Sequence, residues 1–416
     1  MASTFPRAII ILVTLFLGIA VSTPALAQRS RKRQPVAKGP TEKGPTGQQK
    51  IEFDRLAKQA TEAREAARLE DAIRLYNQAL QLNPQWVEGW WYLGSIFYDR
   101  DRYNEAGEAL KILLSINQQN GPAWALLGLC EFQLRHYPQA LADIQKGRDL
   151  GLGGNKAFID VARFHGAILM TRIGQFELGY DSLRPFAREG NESMSVIEAL
   201  GINILRMPLL PAELPPDKRE LVLLAGRAAF HQAARHPQEA DRAFKELLAR
   251  YPEAPNANYA YGVFLLIDTP DAALDAFRNE LKISPASVPT LMQIAFEYIK
   301  RNDFEPALPY AEKAVETAPD LFATHNALGR VLLGLGKINE SIKELEIGVK
   351  QAPDSPEMRF ALARAYARAG RKEDAARERA TFLQLDKQMR QMREGAQSVG
   401  GVEIKQADKN PLPQQK

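Results

Sequence analysis

The chain is poor in the residues that build metal and redox centres. It has one cysteine, Cys130, in 416 residues. That excludes an internal disulfide framework, a cysteine-based zinc site and a CxxC redox motif. Its five histidines are scattered, too few and too separated to suggest a histidine-rich metal site. Long apolar runs are also missing, apart from Ala8 to Val21 near the N-terminus, and those 14 residues fall short of the roughly 20 that span a bilayer. Net charge is small, with 54 Lys+Arg against 50 Asp+Glu. A hydrophobic fraction of 45% and a charged fraction of 25% are those of a folded chain and rule out wholesale disorder.

The small positive charge is unevenly placed. Arg29, Arg31, Lys32, Arg33, Lys38, Lys43 and Lys50 face only Glu42 within residues 28–50, and Arg7 precedes them. Everything from Ile51 onward is therefore mildly acidic, the opposite of what a nucleic-acid-binding body would show. No nucleic-acid partner is expected.

Residues 1–27 read as a secretory signal. A short n-region carrying Arg7 leads into the apolar run, Pro24 breaks it, and Ala25 and Ala27 supply the small residues of a cleavage site. Cleavage is expected after Ala27, which implies a periplasmic or secreted location, and an uncleaved anchor is the alternative. Residues 28–50 hold no large apolar residue except Val36 and are expected to form a disordered basic linker. A solvated spacer is preferred there over contact with a membrane surface or anionic polysaccharide. Residues 395–416 are similarly polar and are expected to be a disordered tail.

Between the tails the sequence repeats with a period of 34. Pro285, Pro319 and Pro353 are each 34 apart, and Pro252 lies 33 before Pro285. Twelve residues before each stands a small residue: Ala240, Ala273, Ala307 and Ser341. In the same register come Trp90-x-x-Leu93-Gly94-x-x-Phe97 with Ala106, then Trp124-x-x-Leu127-Gly128 with Ala140. This pattern resembles the tetratricopeptide repeat family, a helix pair closed by a proline. Two antiparallel helices approach closely only where side chains are small. All the proposed crossing positions satisfy this: Ala60, Gly94, Gly128, Ala167, Ala228, Gly262, Ala295, Gly329 and Ala363 in first helices, and Ala72, Ala106, Ala140, Gly179, Ala240, Ala273, Ala307, Ser341 and Ala375 in second helices.

The expected fold is an all-α, right-handed α-solenoid of antiparallel helix pairs. Four repeats should occupy residues 53–193 and five residues 221–389, interrupted once near 194–220. There Ser195 to Arg206 reads as one apolar helix stopped by Pro208, Pro211, Pro215 and Pro216. Polar residues on the first helix, and a long charged helix from Lys372 to Glu394 striped by Phe382, Leu385, Met389 and Met392, should cap the ends.

No catalytic constellation stands out, and no enzyme, cofactor or metal is expected. Gly151 to Gly154 is glycine-rich but lacks the strand and the Gly-Lys-Ser/Thr of a phosphate cradle. Cys130, between Leu129 and Phe132, reads as a buried apolar thiol. His231 and His236 are five apart and do not share a helical face, while His165 and His325 take packing positions on first helices.

The resemblance implies that first helices line an inner surface that binds a protein or peptide segment. It assigns Trp91, Tyr98, Phe132 and Phe164 to that surface early on, Tyr259 and Phe296 in the middle, and Arg330, Arg364 and Arg368 late. The first four carry the leading expectation, because aromatic residues dominate interface hot spots. The terminal-carboxylate clamp of some members needs Lys, Asn and Arg across adjacent repeats, which are absent here before Arg330. A non-enzymatic scaffold outside the cytoplasm is the expected function. The alternative is a cell-envelope accessory factor contacting an anionic polymer, and salt dependence separates the two.

Overall fold

The computed structural model describes residues 47–399, with side chains through Gln391. Residues 1–46, where a signal sequence and basic linker are expected, and residues 400–416 lie outside the described residues. Within them the chain is all-α, with no strand.

Nine helix pairs follow the repeat register: α1 (Gly47–Glu65) with α2 (Leu69–Leu82), α3 (Val87–Asp99) with α4 (Tyr103–Ile116), α5 (Gly121–Gln133) with α6 (Tyr137–Leu150), and α7 (Lys156–Arg172) with α8 (Phe176–Arg188). A single helix, α9 (Met194–Ile204), and two short turns at Pro211–Glu213 and Pro216–Lys218 come next. Then α10 (Arg219–Ala234) pairs with α11 (Pro237–Arg250), α12 (Ala257–Leu265) with α13 (Pro270–Ile283), α14 (Val288–Arg301) with α15 (Phe304–Thr317), α16 (Phe322–Gly334) with α17 (Ile338–Gln351), and α18 (Pro356–Arg368) with α19 (Lys372–Val399). Two termini are corrected. Residues 47–50, placed in the basic linker, form the first turn of α1, and residues 395–399, placed in the tail, continue α19.

All eighteen crossing residues are buried, and their size explains the pairing. A Cβ on Gly128 would stand 2.8 Å from the carbonyl oxygen of Ala140, and one on Gly147 2.7 Å from the amide nitrogen of Ala125. The α5–α6 backbones are thus nearly in contact. At Gly329 the close neighbour is the Leu345 side chain, 2.5 Å away, while the Ser341 hydroxyl donates to the Gly329 carbonyl at 2.6 Å. Large side chains fill the spaces between crossings, with Tyr76, Leu110, Phe244 and Phe277 fully buried. Each such burial contributes about 1.5–3 kcal/mol.

The turn between the two helices of a pair carries a second periodic feature. Ala67, Asp101 and Arg135 have φ of 55°, 58° and 64°, and Gly174, Arg235, Asn302, Gly336 and Gly370 take the same left-handed conformation in their own repeats. Each sits just past the first helix, where a left-handed residue reverses the chain into the second. Only α12–α13 lacks one.

By contacts the chain divides into two compact units, Met1–Met170 and Thr171–Lys416, so the division falls inside the fourth repeat rather than at 194–220. The reason is α9, which is packed into the second unit against α8 and α10. Its apolar face buries Val196, Leu200 and Ile202. Asn203, at its C-terminal end, donates to the Thr171 hydroxyl at 2.8 Å and to the Phe176 carbonyl at 2.9 Å.

Candidate partner-binding surface

In the second unit the first helices α14, α16 and α18 touch one another directly, beyond each helix's contact with its own partner. They therefore form a closely set row, and their outward side chains share one surface. On that surface the Arg330 guanidinium lies 5.8 Å from the Phe296 ring centroid and the Arg364 guanidinium 5.9 Å from the Phe360 ring. Cation–π contact holds each arginine over an apolar base. One turn beyond Arg364, Arg368 donates to the Leu333 carbonyl at 2.9 Å.

The electrostatics of this row are unfavourable as it stands. Arg330 is half-buried, and its pKa is held below the usual guanidinium value, first by desolvation and second by the positive charge of Arg364. No carboxylate pairs with Arg330 or Arg364 among the described residues. Elsewhere on the same helices arginines are neutralised: Arg359 on α18 meets Glu378 at 2.8 Å and Arg301 on α14 meets Glu297 at 2.8 Å. One turn before Arg330, the Asn326 side-chain oxygen is buried without a hydrogen-bond partner. Asn326 stands four residues before Arg330 and so on the same helical face.

The earlier positions are more occupied. Tyr259 is half-buried, 5.9 Å from the Phe277 ring, with the Arg206 guanidinium 5.6 Å from its own ring centre. Burial raises its hydroxyl pKa. In the first unit Trp91 is half-buried and meets Phe158 edge-on at 6.5 Å. Tyr98 is half-buried against Tyr103 at 5.5 Å, and burial pushes its hydroxyl pKa up. Phe132 lies between Tyr137, at 5.7 Å, and His165, at 4.7 Å. Phe164 is corrected: it is 3% exposed, so it packs inside the unit and presents no surface. The four early aromatics therefore do not form one open stripe, because each finds ring partners within its own unit or is covered.

The remaining candidates for chemistry have structural explanations. Cys130 is buried, and desolvation pushes its thiol up to about 12, so it is no nucleophile near neutral pH. His165 sets Nδ1 2.8 Å from the Val161 carbonyl, and desolvation lowers its pKa. His325 is buried with Nδ1 2.7 Å from a Glu344 carboxylate oxygen and Nε2 2.7 Å from the Pro319 carbonyl. Among the described residues no cluster of three or more His, Cys, Asp or Glu suits a metal ion. None of the described helices is long and apolar enough to cross a membrane.

Helix pairs of 34-residue period, small residues at every crossing and a left-handed turn between partners define a helical-repeat protein. Sequence profiles described as tetratricopeptide repeat match residues 57–122, 223–288 and 326–380, and a second such profile matches 288–321. Together these cover just over half of the chain, which belongs to the tetratricopeptide repeat family. It is 25% identical over 254 residues to the human protein named Protein O-mannosyl-transferase TMTC3, covering 57% of this chain and 27% of that protein. The chain thus spans about a quarter of that relative's length. Among solved structures, it is similar to MamA from Desulfovibrio magneticus RS-1, with 22% identity, a TM-score of 0.38, and coverage of 41% of this chain and 96% of the other. A crystal structure of MamA gives 15% identity and a TM-score of 0.37, covering 39% and 96% of the two chains.

Proposed function

We propose that this protein is a non-enzymatic interaction scaffold outside the cytoplasm. It holds an acidic segment of another protein on the first-helix row of its second unit. The carrying observation is the pair Arg330 and Arg364, stacked over Phe296 and Phe360 with no counter-charge. Bringing two guanidinium groups together in a partly desolvated site is unfavourable unless an anion joins them. A carboxylate side chain meets that need bidentately, and apolar residues beside it would lie along the phenyl rings. Membership of a repeat family whose scaffolds bind proteins supports the reading, and the signal-like pattern of Met1 to Ala27 supports the location.

A second reading, contact with an anionic envelope polymer, is favoured by the basic run Arg29 to Lys50. Crosslinking capture from an envelope fraction, with wild-type and Arg330→Ala/Arg364→Ala baits over a salt series, tests both. The scaffold reading expects a defined protein, lost in the variant and partly retained at high salt through its apolar contacts. Capture unaffected by the double substitution sinks it. Retention of polymer alone, abolished by salt, replaces it with the second reading.

A further inference from the structure

Helices α9 and α10 run antiparallel and almost touch at Gly201 and Gly226, where added Cβ atoms would lie 1.9 Å from the Val222 carbonyl oxygen and 2.0 Å from that of Ile197. Beyond this crossing, toward the start of α9 and the end of α10, a cavity of about 220 Å³ opens. Ile197, Leu223 and Phe230 form apolar walls, with Met194 beside them, and Glu192, Arg227 and His231 are the polar lining.

These three polar groups do not satisfy one another. Arg227 and Glu192 are exposed side chains that line one cavity and form no ion pair with each other or with any described residue. The His231 Nδ1 atom is buried without a hydrogen-bond partner. This differs from His165, whose Nδ1 is spent on the carbonyl one turn back. That nitrogen is sealed from solvent, so the unmet polar groups a ligand can reach in the cavity are Arg227 and Glu192.

We propose that this cavity binds a free α-amino acid with an apolar side chain. The chemistry uses both charged groups of the lining. The ligand carboxylate takes hydrogen bonds from the Arg227 guanidinium, while the His231 ring forms part of the wall beside it. The ligand ammonium faces the Glu192 carboxylate. The side chain lies on Ile197, Leu223 and Phe230 beside the Met194 thioether, a soft surface that adapts to aliphatic or aromatic shapes. A simple anion would leave Glu192 opposing it, and an uncharged apolar molecule would leave both charged groups unmet. The cavity is smaller than the pockets that hold drug-sized molecules, which matches a ligand of this size.

The site lies apart from the arginine row, and its test requires no protein partner, so it stands or falls independently of the scaffold reading. Titration calorimetry on the full chain with L-leucine and L-phenylalanine should show saturable one-site binding at millimolar ligand or below. N-acetyl-L-leucine, which lacks the ammonium, and L-leucinamide, which lacks the carboxylate, should each bind at least tenfold more weakly. Arg227→Ala and Glu192→Gln should each weaken leucine binding at least tenfold with unchanged melting temperature, because both side chains are exposed. Absence of saturable binding by either amino acid overturns the proposal. So does undiminished binding by Arg227→Ala, or an acetylated ligand bound as tightly as leucine.

Discussion

Gly201 lies so close to Val222 that a Cβ on it would stand 1.9 Å from the Val222 carbonyl oxygen. The neighbour is backbone, so no side-chain rotation relieves the clash, and α9 must move away from α10. Gly201→Ala should therefore lower stability by about 1–3 kcal/mol. Gly107, also on a helix, has nothing nearer than the Leu127 Cδ1 at 3.7 Å. Gly107→Ala should be neutral or stabilising by up to about 1 kcal/mol, since alanine fixes less backbone entropy on folding. Thermal melting of the two variants checks this, and equal shifts would show that the α9–α10 crossing is not the tight point of the unit.

The left-handed turn residues give a paired expectation. Ala67 holds φ at 55° and Gly336 the equivalent position at 75°. An L-residue there costs roughly 1–2 kcal/mol that glycine does not, partly offset by glycine's larger entropy loss. Ala67→Gly should raise the urea midpoint and Gly336→Ala should lower it, each by the equivalent of about 0.5–1 kcal/mol. Changes of the same sign in the two variants would contradict a shared turn geometry.

How much of this was legible in the sequence depends on whether residue type or only residue conformation repeats. The crossings were readable because close backbone approach admits only Ala, Gly or Ser, as at Gly128 and Ala140. The turn position was not, because Ala67, Asp101, Arg135 and Gly174 share a φ and no side-chain chemistry. Phe164 shows a similar limit. Its place on a first helix predicts the face it shares with Phe132, but burial depends on what the chain lays over that face. The arginine row was partly legible. Arg330, Arg364 and Arg368 were named from position, whereas the missing counter-charge and the unpartnered Asn326 oxygen are visible only with neighbouring helices in place.

Asp143 provides a pH-dependent expectation. It is 3% exposed. One oxygen accepts from Gln139 Nε2 at 2.8 Å and the other has no partner. Burial, followed by the nearby Glu131 charge, raises its pKa to about 6. A raised carboxyl pKa means the folded state binds the proton more tightly, so its contribution is full below about pH 4 and is lost as pH rises through about 6. Asp99, raised to about 6 by burial, acts in the same direction. Asp143→Asn should therefore match wild type near about pH 4 and exceed it by on the order of 2 kcal/mol near about pH 8. Melting curves at the two pH values decide it, and a pH-independent difference would contradict the assignment.

Cys130 should be inert while the fold persists. With the thiol pushed up to about 12, mainly by burial, almost none is thiolate at neutral pH, and only the thiolate alkylates readily. Iodoacetamide labelling followed by intact mass should show no modification in native buffer and one in denaturant. Rapid labelling of the native protein would place Cys130 in an open environment.

The arginine row predicts a gain of stability with a loss of binding. Arg364 lies near enough to Arg330 to depress its pKa, so reversing the charge converts a repulsion into an attraction. Because Arg364 is exposed, the effect is screened and should be modest, about 0.5–1 kcal/mol in favour of Arg364→Glu. The same substitution places a carboxylate where an acidic partner segment would bind, so capture should fall more than for Arg364→Ala. Melting temperature and capture measured on both variants separate two roles for the side chain. A destabilised Arg364→Glu protein would mean that the stack on Phe360, 5.9 Å away, serves the fold. A stabilised protein with reduced capture is the signature of a charge arrangement held for a ligand at some expense to the unliganded state.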